Sequence, residues 1–212
     1  MYLPRSFAET DVGALHAFMG AHPFAALVTS EGGLFATHLP LVLRADVGPY
    51  GVLEGHVARA NEHHKRGSGP IEGLVMFIGV HAHVTPTWYP SKAVDGRTVP
   101  TWNYVAVHAY GRVRFLDDEA FLRAHLARLS ERHEPMRDSA WAPSDAPADY
   151  VAQQLRAIVG VEIEITRLEG KWKMSQNRSD EDARGVVDGL HSTGDAMDAA
   201  VAELVGRRLE RS

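Results

Sequence analysis

The sequence predicts a mainly β fold with added helices (α+β), built as a six-stranded antiparallel β-barrel, closed or split, with peripheral helices. Three observations predict it. Six segments carry apolar residues at strand period or as short buried runs. Glycine-bearing turns at Glu31-Gly32-Gly33 and Gly48-Pro49-Tyr50-Gly51 join neighbouring segments closely enough for antiparallel pairing. The 212 residues contain no linker long enough to separate domains, so one domain over 1–212 is expected, ending in helices at about 179–209. A sheet of that size must bury its faces and hide its edges, which barrel formation does.

The elements follow in order. Glu9 to His22 places Val12, Leu15, Phe18 and Met19 at helical spacing, with Thr10 as the expected cap and Pro23 as the stop. Phe24 to Thr29 and Leu34 to Leu43 read as two strands of a hairpin, and Val52 to Ala58 as a third strand. Leu74 to Val84 is a nearly continuous apolar run, the pattern of a central strand. From Val105 to Phe115 the apolar positions Val105, Val107, Ala109, Val113 and Phe115 alternate with His108, Tyr110, Arg112 and Arg114. Helical period returns after Asp117 or Asp118, either of which can cap, with Phe121, Leu122, His125, Leu126 and Leu129 aligned. Pro135 to Pro147 reads as a loop, Ala148 to Ile158 as a short helix, and Val161 to Thr166 as the sixth strand. Ser179 with Asp182 has capping-box form before a helix through Leu190, and Asp195 to Leu209 forms the last helix.

Composition narrows the function. A hydrophobic content of 45% supports a real core, and a formal net charge of −5 argues against a broad basic surface for nucleic acid. A helix-turn-helix can be laid over Ser179 to Leu209, but its only basic cluster is Arg207-Arg208 with Arg211, so direct DNA binding is expected to be weak or missing. The absence of cysteine excludes disulfides, thiol nucleophiles and zinc-thiolate sites. The N-terminus lacks a signal-peptide pattern and no apolar run reaches membrane-spanning length, which predicts a cytoplasmic protein. Neither a G-x-S-x-G elbow nor a phosphate-cradling glycine loop occurs.

Two segments carry the chemistry. Thr98-Val99-Pro100-Thr101-Trp102-Asn103-Tyr104 and Lys171-Trp172-Lys173-Met174-Ser175-Gln176-Asn177-Arg178 each set large aromatics beside amides and cations, the mixture that holds a flat ring and an anion. Both resemble signature stretches of the PaiB family, the FMN-binding negative transcriptional regulators. The resemblance extends through Met1-Tyr2-x-Pro4-x-x-Phe7, His38-Leu39-Pro40-Leu41, Gly55-His56-Val57-Ala58-Arg59-Ala60-Asn61 and Thr87-Trp88-Tyr89-Pro90-Ser91-Lys92. It implies a split barrel of the FMN-binding type, a homodimer with flavin at the subunit interface, and a repressor role in transcriptional regulation. Two stretches depart from the family pattern. Glu62-His63-His64 stands where the family continues Pro-x-Trp, and Gly79-Val80-His81-Ala82-His83 stands for Gly-Pro-x-Ala-Tyr.

FMN needs cations or amides for its phosphate, polar groups for the ribityl chain and a slot for the ring. Arg59 and Lys92 can meet the first need, and Lys173 with Gln176 offers a cation and an amide at a strand end. Thr37, His38, Leu39 and Pro40 are read either as an edge strand broken by proline or as backbone lining the ring. Asn61, Trp102 and Asn103 complete the expected pocket, although Trp102 and Trp172 equally suit core or dimer anchors. No catalytic residue is assigned; His38 and Tyr89 are the candidate proton donors. His63-His64, His81-x-His83 and His108 raise a haem or metal reading, yet no carboxylate completes a ligand pattern, and no metal is expected. Two classes remain open: a flavin-binding regulator or redox sensor, and a flavin-dependent oxidoreductase acting on a small molecule.

Overall fold

The structure, a computed structural model, describes residues 1–67, 69–134 and 140–210. Its strands are β1 (Ala8–Glu9), β2 (Phe24–Thr29), β3 (Phe35–Pro40), β4 (Val42–Arg44), β5 (Val52–Ala58), β6 (Ile71–Val84), β7 (Thr101–Leu116) and β8 (Ile158–Lys173). Its helices are α1 (Val12–Ala21), α2 (Lys92–Asp95), α3 (Glu119–His133), α4 (Ala148–Arg156), α5 (Asp180–Ser192) and α6 (Ala196–Leu209). The sheet order is β3-β2-β6-β7-β8-β5-β4, with β1 also beside β8. β2 pairs antiparallel with β3 and β6, β5 with β4 and β8, and β1 with β8. β6 is interior to this order, as its unbroken apolar run requires.

Among the described residues eight strands replace the expected six. Leu34 to Leu43 is divided, because Leu41 leaves the ladder and gives its amide to the Pro23 carbonyl at 2.9 Å. The added β1 has only two residues and is held by its register with Gly170 and Lys171. The chain forms two compact units. The first comprises Met1–Asp11, Ile78–Val107 and the chain from Glu169 on; the second comprises Val12–Phe77 and His108–Leu168.

In the second unit Leu15 and Met19 of α1, Leu27, Leu53, Val75, Phe77, Val113, Val161, Ile163 and Leu122 of α3 are buried. Asp118, not Asp117, caps α3, accepting from the Ala120 and Phe121 amides. Gly111 lets β7 run close to β8, since a Cβ there would overlap the Glu164 carbonyl oxygen. The expected loop from Pro135 falls partly outside the described residues; Pro143–Asp145 within it forms a single 3-10 turn.

In the first unit Val84, Val105, Val107, Val186, Leu190, Val201 and Val205 form the buried set. Asp195 caps α6 through the Met197 and Asp198 amides, an arrangement typically worth about 1 kcal/mol. The capping box expected at α5 is half made. Ser179 Oγ accepts from the Asp182 amide at 3.2 Å, but the Asp182 carboxylate accepts instead from the Ser91 amide at 3.0 Å and the Ser91 hydroxyl at 2.7 Å.

Candidate functional site

In the first unit the segments 98–104 and 171–178 converge. β8 ends at Lys173, and the chain turns through Ser175 and Gln176 toward α5. Gln176 builds that turn: its Oε1 accepts from the Met174 amide at 2.6 Å and its Nε2 donates to the Trp172 carbonyl. The Gln176 amide therefore serves the local backbone. Ser175 has a φ of 61°, the left-handed region that a non-glycine residue enters at a cost of roughly 1–2 kcal/mol. Its buried hydroxyl accepts from Asn103 Nδ2 at 3.0 Å, which ties the turn to β7. Lys173 Nζ makes the second tie, donating to Thr101 Oγ1 and to the Trp102 carbonyl.

Three cations surround this turn. Lys171 is buried and donates to the Tyr2 carbonyl at 2.9 Å, with its Nζ 5.4 Å and 5.2 Å from the Tyr2 and Tyr104 ring centres. The Arg178 guanidinium lies 4.5 Å over the ring of Tyr89. Burial, and then the charges of Lys171 and Arg178, push the Lys173 ammonium below its ordinary pKa. Tyr89 is buried, and burial raises its pKa against the lowering effect of the neighbouring Arg178. Trp102 is half exposed, with His81 and His83 ring centres 6.0 Å and 5.8 Å from it. Lys92 is exposed at the start of α2, just past the Ser91 clasp.

The remaining expected residues lie in the second unit. Thr37, His38, Leu39 and Pro40 form the end of β3, with Leu39 buried and His38 exposed. Thr37 Oγ1 lies 2.9 Å from His63 Nδ1 and accepts from Asn61 Nδ2 at 3.2 Å. Thr29 Oγ1 is 2.9 Å from His63 Nε2, and Asn61 Oδ1 accepts from the His63 amide. Burial and then Arg66 lower the His63 pKa, so a neutral ring bridges the two threonines. Arg59 donates bidentately to Asp117 at 3.0 and 2.6 Å, and also to the carbonyls of Arg156 and Ile158. Its charge and four of its five donors are engaged within the second unit. Lys171 and Arg178 lie in a segment the sequence marks as carrying cations but are not singled out there, and the tie between Ser175 and Asn103 has no signal in the sequence. The two-residue spacing of Lys171 and Lys173 becomes a shared strand face once β8 extends to Lys173.

Other histidines have structural partners. His64 Nδ1 lies 2.7 Å from the Asn61 carbonyl, and His56 Nδ1 lies 3.0 Å from His125 Nε2. Among the described residues no group of three or more His, Cys, Asp or Glu is placed to hold a metal ion.

The strand order with its peripheral helices is that of a split barrel. The flavocytochrome Anf3 from Azotobacter vinelandii shares it at a TM-score of 0.55 and 16% identity, over 86% of this chain and 77% of that one. The FAD and heme binding protein from Mycobacterium smegmatis does so at a TM-score of 0.54 and 15% identity, over 84% of this chain and 78% of that one. The chain belongs to the family whose model is described as a "putative FMN-binding domain", which matches residues 1–167, and this membership gives FMN as the cofactor. It is 31% identical to the protease synthase and sporulation protein PAI 2 of Bacillus subtilis, over 100% of this chain and 99% of that protein, which bears out the resemblance to the PaiB family. An uncharacterized protein of Emericella nidulans is 34% identical over 99% of this chain and 98% of its own length.

The first unit suits the cofactor's chemistry. Lys173 and Arg178 offer positive charge, and the half-exposed Trp102 offers an aromatic face.

Proposed function

We propose that this chain is an FMN-binding protein of the PaiB type that regulates transcription through flavin binding or redox sensing. One observation carries the reading: two segments about 70 residues apart, each read from sequence as belonging to a ring-and-anion site, are locked together by Lys173 to Trp102 and by Ser175 to Asn103. Bound FMN supplies hydride or electron transfer; the chain supplies charge, an aromatic face and a fixed turn. Trp102, Asn103 and Lys173 are the proposed contacts in the first unit, with Gln176 holding the turn and Lys92 nearby in sequence to the Ser91 clasp. On the family resemblance alone, Thr37 to Pro40 and Asn61 of the second unit are proposed flavin contacts, and Arg59 supports that unit through Asp117.

The working form is proposed to be a homodimer, because Ile78 on β6 and Trp102 on β7 are 66% and 52% exposed, a costly arrangement for large apolar side chains left in water. The regulatory effect is expected without tight autonomous DNA binding, given the net charge of −5.

The test is titration of the purified protein with FMN, followed by anaerobic addition of NAD(P)H and then air. FMN binding at micromolar concentration without sustained NAD(P)H oxidation supports the regulator. Multiple turnovers would make the protein an oxidoreductase, and no binding at near-millimolar FMN would end the flavin reading. No helix among the described residues is long and apolar enough to cross a membrane.

A further inference from the structure

Lys171 and Lys173 stand two residues apart at the end of β8, and the Arg178 amide donates to the Ser175 carbonyl at 3.0 Å, so the three cations gather about one turn, where the first and last depress the ammonium of the middle one. Yet none of the three forms a salt bridge among the described residues. Lys171 is answered by a carbonyl and two aromatic rings, Lys173 by a hydroxyl and a carbonyl, and Arg178 by the face of a ring. The acidic residues that open α5 do not fill the gap. Asp182 is bound to Ser91, and Asp180 pairs with Arg208 at 3.5 Å. Other partly buried cations do meet carboxylates: Glu54 takes both Arg44 and Arg128, and Asp117 takes Arg59, while Arg66 rests on the Gly32 carbonyl and the Phe35 ring. Three gathered cations without a salt-bridge partner cost free energy in a partly desolvated place unless an anion completes them.

The surroundings are those of a built site. Lys173 keeps one of its three N–H donors after serving Thr101 and Trp102. The buried Tyr89 hydroxyl lies on the residue whose ring carries Arg178, and it feels the Arg178 charge. The Ser175 hydroxyl, held by Asn103 as an acceptor, still has its proton to give. The left-handed backbone of Ser175 stores strain at the centre of the group, as functional turns often do.

We infer that Lys173 and Arg178, with the Tyr89 and Ser175 hydroxyls, bind the phosphate of a phosphate monoester, and that Lys171 sets the positive field behind them. The inference deepens the flavin reading and rests on it for one of two sources of that phosphate: the FMN itself, or a separate phosphorylated small molecule bound beside the flavin. No bond is made or broken in this step. The site selects a dianion by charge and by convergent donors.

The experiment measures binding of inorganic phosphate, FMN and riboflavin to the full chain, by 31P NMR and flavin fluorescence. It compares wild type with Lys173→Met, Lys173→Arg and Arg178→Gln, and takes Lys65→Gln, an exposed cation paired with Glu62, as control. Lys173→Met should weaken phosphate binding roughly 10- to 150-fold, the loss of one well-placed charge-assisted bond, and Lys173→Arg should restore some of it. If phosphate competes with FMN and the Met variant loses FMN but keeps riboflavin, the site holds the flavin's own phosphate. If phosphate binds together with FMN, and the Met variant loses phosphate while keeping both flavins, the site holds a separate ligand. Phosphate binding that Lys173→Met and Lys65→Gln change equally overturns the inference while leaving the flavin reading intact. Phosphate binding by a protein that takes up neither flavin would sink the flavin reading and leave the anion site standing. Thermal melting of each variant separates lost binding from lost folding.

Discussion

His125 shows how one buried ring sets a pH limit. It is fully buried, with its Nε2 3.0 Å from His56 Nδ1, so a single proton can lie between the two rings. Burial, then His56 and Arg128, hold its pKa down to about 4, and burial lowers His56 as well. Both rings titrate near the ordinary 6.5 once the chain unfolds. The unfolded chain therefore takes up protons first, and this contribution to stability is complete above pH 6.5 and is lost as the pH falls toward 4. Linkage puts the loss from His125 alone at about 2 kcal/mol between roughly pH 7.5 and pH 5. Urea melts across that range should show it, and His125→Gln should flatten the slope; an unchanged slope would place the titration elsewhere.

Arg59 teaches a second lesson at the same scale. From sequence it is a cation in a motif, free to meet a phosphate; its partner Asp117 lies 58 residues away and no local pattern announces it. The expected result for Arg59→Ala is equal weakening of FMN and riboflavin binding, with a lower melting temperature. A loss confined to FMN would return Arg59 to the phosphate. His63 is equally unreadable from sequence, because its role depends on Thr29 and Thr37 meeting it from two strands.

At the scale of elements, periodicity locates the middle of each strand and misses the ends. The alternation that marks β8 is clean only from Val161 to Thr166, yet the strand runs from Ile158 to Lys173. The extra residues stay extended because β5 pairs with Ile158 to Glu164 and β1 with Gly170 and Lys171, and pairing leaves no mark in hydropathy. The face carrying Lys171 and Lys173 can be recognised only once the strand reaches them. The motif from Thr87 to Lys92 draws attention to Lys92 and Tyr89, but its Trp88 is a docking residue. A Cβ at Gly189 of α5 would overlap the Trp88 ring, and one at Gly185 its carbonyl oxygen. Gly189→Ala should therefore destabilise the protein by about 1–3 kcal/mol through overpacking, despite the roughly 1 kcal/mol that alanine favours in a helix interior. Chemical denaturation followed by tryptophan emission reads both the loss and the displaced indole. A stabilised variant would show that α5 can shift away.

For the whole molecule, six clear strand cores make a barrel, closed or split, legible, while the split form and the cofactor are legible only through short family motifs that stand in a fixed order along the chain. The proposed dimer rests on the family resemblance and on exposed apolar surface. The exposed Ile78 makes that claim testable: Ile78→Asp should convert a species of about twice 23.3 kDa into one near 23.3 kDa in light scattering. A wild-type protein already at the smaller mass would remove the dimer from the proposal.

β8 is the last strand among the described residues, and β7, β5 and β1 all pair with it. Glu9 meets Gly170, roughly 160 residues further on. On a ribosome adding about 5–20 residues per second, β1 waits on the order of 10 to 30 s for its partner, and β5 waits for most of that time beside it. Their unpaired edges are then open to any other extended chain in reach. Newly made protein should be most prone to misassociation during this interval, and chaperones that cover strand edges should matter more to its yield in the cell than the melting temperature of the finished molecule suggests.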